Sequence, residues 1–280
     1  MEEDQDVPTP SCSEEEGVEK KLPSAVVIGA RKGGTRALLE FLALHPHVRR
    51  EETEPHFYDR HWGEGTAWYL AQLPALLPGQ VAVEKTPGYF HSPEVPGRLR
   101  QTAPETRLLL ILRHPVRRMV SDYNQLRSNR ARRNLSYPAL EDLVLSQGGE
   151  VEQDWPPLHR SLYHIHLQSW LDVFPRDQIL VVNGDKFISE PWTELSRVEA
   201  FLRLPHLLTK EDFYYNSTKG FYCGRESCGR TKCLGRSKGR LGPQVATALQ
   251  EQVCLFFQPH NEVLFKLIGS HSFDWSCGGL

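Results

Sequence analysis

Four short runs of almost entirely apolar residues, at 25–29, 80–84, 107–113 and 178–182, are the sequence feature that most constrains the fold of this 280-residue chain. Strands buried on both faces of a parallel sheet have this composition, whereas strands with one wet face alternate apolar and polar residues. The four runs therefore predict a central parallel sheet.

The segments between these runs have apolar residues at helical spacing. One helix is predicted over 35–44, where Leu38, Leu39 and Leu42 lie on one side. A second is predicted over 158–174, whose apolar positions are Leu158, Leu162, Ile165, Leu171 and Phe174. Parallel strands need such crossover helices between them. The predicted fold class is therefore α/β, a central parallel sheet flanked by helices.

Residues 1–20 carry eight acidic side chains and one lysine without apolar periodicity, which predicts a disordered acidic leader. Residues 21–280 are predicted to form one domain, because 39% hydrophobic and 10% aromatic residues suffice for one large core. This part has 32 basic and 27 acidic side chains. No apolar run approaches the roughly 18 residues of a transmembrane span. The leader also lacks the basic, then apolar, start of a secretory signal.

The first apolar run leads into a glycine-rich loop, residues 30–36, which opens the first predicted helix. Gly33 and Gly34 let the backbone approach an anion, and the first N–H groups of a helix favour negative charge. An ordinary strand-to-helix turn also accepts two glycines. The polar neighbours Lys32, Thr35 and Arg36 favour phosphate binding over that alternative.

This loop differs from a Walker A loop, in which a lysine follows the last glycine and a Ser or Thr binds Mg²⁺. Here Lys32 precedes the glycines. A kinase of that class also needs an acidic metal ligand at a neighbouring strand end, but the run at 107–113 ends in Arg113. We therefore expect no metal site and a multiply anionic donor bound by fixed cations, with a P-loop nucleotide kinase as an alternative.

Seven motifs occur in the order seen in heparan sulfate glucosamine 3-O-sulfotransferases, and the match spans about residues 22–275. They are Arg31-Lys32-Gly33-Gly34-Thr35-Arg36, Glu54-Pro55-His56-Phe57, Glu84-Lys85-Thr86-Pro87, Leu112-Arg113-His114-Pro115, Ser121-Asp122-Tyr123, Lys219-Gly220-Phe221-Tyr222-Cys223 and Ser237-Lys238-Gly239-Arg240. The chain resembles this family. Its compact length and the stretch at 161–164 are most similar to the type 1 members.

The resemblance implies a P-loop-like sulfotransferase fold. It also implies transfer of a sulfonate group from 3′-phosphoadenylyl sulfate (PAPS) to the 3-hydroxyl of glucosamine in heparan sulfate, with no metal required. The residues that match the family's donor-binding positions are Lys32, Gly33, Gly34, Thr35 and Arg36 around the 5′-phosphosulfate, Arg113 and Ser121 at the 3′-phosphate, and Lys238, Gly239 and Arg240 in a later loop. An arginine fork and a serine hydroxyl suit a phosphate group.

The resemblance also assigns the reacting groups. Glu54 matches the catalytic base, which must take the proton of a poorly nucleophilic sugar hydroxyl. Lys32, His56 and Lys85 match the other catalytic residues, and the two lysines neutralise charge that develops during transfer. The expected acceptor-binding residues are Arg36, Glu54, His56, Asp59, Lys85 and Gln125. Without the family, Glu54 is one acid of a solvated surface run and His56 a structural histidine.

Two basic clusters suit a polyanionic partner. The first is Arg127, Arg130, Arg132 and Arg133, and the second is Lys219, Arg225, Arg230, Lys232, Arg236, Lys238 and Arg240. Nucleic acid is bound by the same salt-sensitive charge neutralisation, but no nucleic-acid module signature accompanies the clusters. We expect heparan sulfate and no nucleic acid, with Arg36, Lys85, Arg132 and Arg133 among the contacts. A non-catalytic heparan sulfate-binding protein is the second alternative.

Six cysteines do not settle the redox compartment. Cys223, Cys228 and Cys233 recur every five residues, unlike the C-x-x-C pairs of zinc sites, and a loop-closing bridge is the better interpretation. By resemblance the bridge joins Cys223 to Cys233 and the enzyme works in the Golgi lumen. Sequons at Asn134 and Asn216 add weak support for a secretory route.

Overall fold

The computed structural model of the chain describes residues 18–226, 229–235, 245–270 and 273–278. The strands are β1 (Glu19–Lys20), β2 (Ala25–Gly29), β3 (Val48–Arg50), β4 (Ala75–Leu76), β5 (Val81–Lys85), β6 (Arg107–Leu112), β7 (Ile179–Asn183), β8 (Phe213–Asn216), β9 (Phe221–Arg225) and β10 (Thr231–Lys232). The α-helices are α1 (Thr35–Leu42), α2 (Gly65–Gln72), α3 (Val95–Thr102), α4 (Pro115–Ala131), α5 (Leu140–Val144), α6 (Pro156–His159), α7 (Tyr163–Leu171), α8 (Gly184–Ser189), α9 (Pro191–Leu202) and α10 (Thr247–Ile268). Short 3₁₀ helices lie at Trp62–Glu64, Tyr89–His91, Arg176–Gln178 and Lys210–Asp212.

Five of these strands form one parallel sheet in the order β3-β5-β2-β6-β7. Its central strand β2 is buried along its whole length, as its apolar composition predicts. All four predicted strands are present in this sheet, with ends that differ by at most one residue from the predicted ends. The predicted α/β fold with a central parallel sheet is therefore confirmed.

Each face of the sheet carries its own hydrophobic core, because successive strand residues point to opposite faces. Val26 and Ile28 lie in a core with residues of α2, α3, α7 and α10. Ala25 and Val27 lie in a second core with residues of α1, α8 and α9. A third cluster joins α4, α5 and α10 beside the sheet. The sheet is thus the middle layer of three.

The single helix predicted over 158–174 is wrong in its continuity. The structure has α6 and α7 instead, separated at 160–162. In a continuous helix the carbonyl of Pro157 would accept from the N–H of Ser161. Here that carbonyl accepts from the Arg118 guanidinium, and the Ser161 hydroxyl also bonds to Arg118. A buried arginine from α4 therefore occupies the break. The helix predicted over 35–44 ends earlier, at Leu42.

Outside the central sheet, β1 pairs with β4, and β8, β9 and β10 form a small antiparallel sheet. Residues 18–20 thus pair with the domain rather than continue the predicted leader, the rest of which lies outside the described residues. The predicted Cys223–Cys233 disulfide is present, and a second, unpredicted disulfide joins Cys254 to Cys277. Within the described ranges, the helices are too short or too polar to cross a bilayer.

Candidate functional site

The glycine-rich loop between β2 and α1 is held against the end of β6. The Ala30 N–H donates to the carbonyl of Ile111 over 2.9 Å. A Cβ atom on Gly33 would lie only 2.5 Å from that same carbonyl oxygen, so no larger residue fits there. Gly34 caps α1 with φ 115°, a conformation that favours glycine. The backbone conformation of the loop therefore requires glycine at both positions. The loop ends at the N-terminus of α1.

This loop lines a cavity of about 690 Å³. The structure brings to it these predicted donor or acceptor residues: Lys32, Gly33, Gly34, Thr35, Arg36, Arg113, Ser121 and Gln125. The other lining residues include the basic Arg117 and Lys219 and the apolar or aromatic Phe41, Phe187, Ile188, Phe221 and Tyr222. None of the described lining residues is acidic. The cavity is therefore electropositive with an apolar portion, which suits a nucleotide that carries several anionic groups.

Arg113 and Ser121 reach the cavity because β6 lies beside β2. The carboxyl ends of neighbouring parallel strands meet at one edge of the sheet, where ligands bind in α/β folds. Arg113 follows directly after β6, and Ser121 lies on α4, which starts two residues later. The α4 residues Arg117 and Asn124 line the same cavity but were not predicted. Their spacing from Ser121, four and three residues, is the helical signal for them.

A second polar cluster surrounds Glu54, next to the end of β5. Lys85, the last residue of β5, forms an ion pair with Glu54 Oε1. His56 Nε2 lies 3.5 Å from Glu54 Oε2, and His56 Nδ1 lies 2.9 Å from Asp59 Oδ2. All four residues were predicted for the reaction or the acceptor, and the structure brings them together. The backbone of His56 is left-handed, with φ 51°, a costly conformation that marks a constrained position.

The cluster around Glu54 and the cavity lie at neighbouring strand ends. In the sheet register, Lys85 of β5 is opposite Val27 of β2, the strand that leads into the glycine-rich loop. Glu54, His56, Asp59 and Lys85 are not among the residues that line the cavity itself. Lys238, Gly239 and Arg240, predicted for the donor, lie outside the described residues, as does Cys228. In the described ranges, no three His, Cys, Asp or Glu side chains converge as metal ligands would.

Asp122 connects the glycine-rich loop to α4, a role that the sequence did not reveal. Its fully buried carboxylate pairs with Arg31 of the loop at 2.9 Å, with Arg118 at 3.0 Å and with Arg160 at 3.3 Å. Burial by itself would raise the pKa of Asp122, but the guanidinium groups of Arg118 and Arg31 bring it below its ordinary value. The carboxylate is therefore charged and holds the loop in place.

A second buried carboxyl group, that of Glu84, lies beside the cluster around Glu54. The hydroxyl of Tyr69 donates to Glu84 Oε2 over 2.5 Å, and the hydroxyl of Thr86 donates to Oε1 over 2.6 Å. Burial raises the pKa of Glu84 to about 7, although both hydrogen bonds oppose the shift. Glu84 immediately precedes Lys85, the residue that forms the ion pair with Glu54. The protonation of Glu84 therefore changes the charge directly beside this ion pair.

Similarity to known proteins agrees with this geometry. A sulfotransferase domain family matches residues 22–261. Heparan sulfate glucosamine 3-O-sulfotransferase 3B1 of Mus musculus is 41% identical over 275 residues, which cover 96% of this chain and 69% of that protein. The chain belongs to the heparan sulfate glucosamine 3-O-sulfotransferase family. Heparan sulfate glucosamine 3-O-sulfotransferase 6 of Homo sapiens is likewise 41% identical, over 91% of this chain and 74% of its own length.

One solved structure has the same fold as this 3-O-sulfotransferase family member. A sulfotransferase from Alicyclobacillus acidocaldarius superposes with a TM-score of 0.67 at 20% identity, covering 91% of this chain and 99% of that one. The predicted sulfotransferase fold is therefore confirmed. The greater similarity to type 1 members within the family stays a prediction.

Proposed function

We propose that this protein transfers the sulfonate group of PAPS to the 3-hydroxyl of glucosamine residues in heparan sulfate, with Glu54 as the general base. The observation that carries the proposal is the Glu54 carboxylate, which is partly exposed, anchored by Lys85 and flanked by the His56–Asp59 pair. Relatives that are 41% identical to this chain over the aligned residues are named heparan sulfate glucosamine 3-O-sulfotransferases. The proposal also has a donor side and a polymer side.

The cavity beside the glycine-rich loop fits PAPS. The donor carries a 5′-phosphosulfate and a 3′-phosphate, and the described lining has five cationic side chains and no acidic one: Lys32, Arg36, Arg113, Arg117 and Lys219. The loop backbone and Lys32 suit the 5′-phosphosulfate, because helix N-termini bind anions. Arg113 and Ser121 suit the 3′-phosphate. The apolar part of the cavity suits the adenine base.

The reaction needs one proton acceptor and a charge sink. Glu54 takes the proton of the acceptor hydroxyl while the hydroxyl oxygen attacks sulfur. The bond from sulfur to the bridging phosphate oxygen breaks, and 3′-phosphoadenosine 5′-phosphate leaves with the electron pair. Lys32 neutralises charge on the leaving group, and Lys85 holds the carboxylate. The hydrogen bond between His56 Nδ1 and Asp59 holds the imidazole ring beside Glu54.

The proposal includes heparan sulfate as the polymer partner, no requirement for a metal, and a place in the Golgi lumen. Two disulfides, Cys223–Cys233 and Cys254–Cys277, support a secretory compartment, because cytosolic thiols stay reduced. The basic residues Arg132 and Arg133 follow the C-terminal end of α4, about two helical turns after Gln125, which lines the cavity. They support a polyanion that runs past the cavity.

The proposal is tested by incubation of the purified protein with PAPS and heparan sulfate in excess EDTA, followed by disaccharide analysis of the product. We expect 3-O-sulfated glucosamine in the product of the wild type and a strong loss with Glu54→Gln. Binding of PAPS and heparan sulfate without transfer by the wild type would favour the non-catalytic binding protein. Metal-dependent phosphoryl transfer from ATP would instead favour the kinase alternative.

A further inference from the structure

Arg113 and Asp185 present two complementary buried atoms that do not bond. Arg113 Nε and Asp185 Oδ1 are 3.7 Å apart, beyond hydrogen-bond distance, and neither has another hydrogen-bond partner within the described residues. A buried donor and a buried acceptor without partners each cost free energy. A shift of less than 1 Å would satisfy both atoms at once.

The second oxygen of the same carboxylate is firmly held. Asp185 Oδ2 accepts from the backbone N–H of His114 over 2.7 Å and from the indole N–H of Trp275 over 3.0 Å. Trp275 is buried and lies two residues before Cys277, whose disulfide to Cys254 ties this segment to α10. The carboxylate is thus fixed from two sides, and one of them is the residue after Arg113.

The neighbouring backbone leaves Asp185 little room to withdraw. A Cβ atom on Gly184 would lie 2.7 Å from the carbonyl oxygen of Leu112 and 2.8 Å from both Arg113 Cγ and the carbonyl oxygen of Gly33. The start of α8 therefore packs directly on the end of β6, on the stem of Arg113 and on the glycine-rich loop. Of the two side chains, the Arg113 guanidinium is therefore the one that can move.

We propose that Asp185 is a positioning residue for Arg113. When the 3′-phosphate of the donor binds the guanidinium, Arg113 Nε moves into hydrogen-bond distance of Asp185 Oδ1. With Nε on the carboxylate, the plane of the guanidinium is set and its two terminal nitrogens remain for the phosphate. The inference rests on the proposed function, because it takes the anion at Arg113 to be the donor 3′-phosphate. It adds a selectivity element that the family motifs do not contain.

The test compares two nucleotides that differ only in the group Arg113 is expected to bind. Binding of 3′-phosphoadenosine 5′-phosphate and of adenosine 5′-monophosphate is measured by calorimetry on the full chain. The variants are Asp185→Asn, which keeps the size of the side chain but removes its charge, and Trp275→Phe, which keeps a ring but removes the N–H. Asp177→Asn is the matched control, because Asp177 is exposed and does not line the cavity.

For Asp185→Asn we expect the affinity for 3′-phosphoadenosine 5′-phosphate to fall about tenfold, the scale of one hydrogen bond to a charged group. The affinity for adenosine 5′-monophosphate should change by less than about twofold. Trp275→Phe should also reduce the preference for 3′-phosphoadenosine 5′-phosphate over adenosine 5′-monophosphate, by a smaller factor. The control Asp177→Asn should leave this preference unchanged. If Asp185 had only a structural role, Asp185→Asn would lower the affinity for both nucleotides equally.

The proposed role of Asp185 is overturned if Asp185→Asn lowers the affinity for both nucleotides equally. It is also overturned if the preference for 3′-phosphoadenosine 5′-phosphate is unchanged in this variant. If that variant does not fold, Trp275→Phe decides, and an unchanged preference there has the same meaning. A wild type that binds the two nucleotides equally would contradict the proposed donor, and with it this inference. A wild type that prefers the 3′-phosphate while Asp185→Asn keeps the preference would contradict this inference alone.

Discussion

Lys85, a side chain that is only 3% exposed, forms an ion pair with Glu54, whose side chain is 41% exposed. The buried ammonium group of Lys85 fixes the position of the Glu54 carboxylate, and part of that carboxylate stays accessible to solvent. A buried ammonium group without a partner would be costly. Lys85 therefore has a structural need for Glu54 as well as the proposed catalytic one, and variants must separate the two.

Glu54→Gln should slow sulfonate transfer about 10²- to 10⁴-fold, the usual effect of losing a general base. Glutamine keeps the size and one acceptor oxygen for Lys85 but cannot take the proton. The affinities for 3′-phosphoadenosine 5′-phosphate and heparan sulfate should change by less than about tenfold. Circular dichroism on the same preparation checks the fold. Transfer at the wild-type rate would exclude Glu54 as the base, and joint loss of activity and of both affinities would make it structural.

Arg113→Ala should lower the affinity for 3′-phosphoadenosine 5′-phosphate by at least about tenfold, because it removes a charged hydrogen-bond partner of a phosphate. Calorimetry measures the change. Arg127→Ala is the control, because Arg127 lies exposed on the same helix α4 and does not line the cavity. An unchanged affinity in Arg113→Ala would refute its assignment to the donor.

Asp122→Asn should lower the free energy of unfolding by about 3–5 kcal/mol, the range for breaking a buried ion pair on one side. The loss is large because Arg118 is also fully buried and would keep its charge. Urea denaturation followed by circular dichroism measures it. Asp142→Asn, at an exposed site in α5, should stay within about 0.5 kcal/mol of the wild type. Equal stability of both variants would exclude the anchoring role of Asp122.

Glu84→Gln should change how stability depends on pH. The carboxyl group has a pKa of about 7 in the folded protein against 4.5 as the ordinary value, so the folded state holds the proton more tightly. Between these pH values the wild type loses stability as pH rises, by up to about 3 kcal/mol for this group. The ionisable groups around it are Tyr69, Tyr89, Tyr58 and Lys85.

The variant has no such group to ionise. The two proteins should therefore be similarly stable near pH 4, and the variant should be the more stable one near pH 8. Denaturant unfolding across this range measures the difference. Parallel pH profiles for the two proteins would show that Glu84 stays charged in the fold.

Material made through a secretory route should contain both disulfides, Cys223–Cys233 and Cys254–Cys277. Mass spectrometry of a non-reducing digest should find each linked peptide pair. Removing a native disulfide typically costs 2–5 kcal/mol, so Cys277→Ser should unfold at lower denaturant than the wild type. Reduced thiols at all four positions would contradict the proposed compartment.

The strands of the central sheet were predictable because a strand covered on both faces must be apolar throughout. The edge strand β3 was not, since its three residues Val48–Arg50 include two arginines. The break between α6 and α7 was also hidden, because it depends on Arg118, which is about 40 residues away in sequence. The spacing of apolar residues within one segment cannot predict a contact with a side chain so far away in sequence.

The candidate site divides in the same way. Lys32, Glu54, Lys85 and Arg113 could be predicted because each lies in a motif of contiguous residues. Asp185 belongs to no such motif, and its partner Trp275 is separated from it by 90 residues. Arg31 and Arg160, which pair with Asp122, likewise come from other segments, whereas Arg118 lies four residues before it on α4. Long-range pairs of this kind appear only when the topology is known.

The order β3-β5-β2-β6-β7 has a consequence for synthesis of the protein. A ribosome makes β2 before either of its neighbours, and it reaches Gly184, which packs on the glycine-rich loop, about 150 residues after Gly33. At elongation rates of roughly 5–20 residues per second, this interval is about 8–30 s. Until β5 and β6 have been made, about 50 and 80 residues after β2, this buried strand has open edges, which are sites for aggregation. The strand order therefore leaves residues 25–29 without their sheet partners during the early part of synthesis.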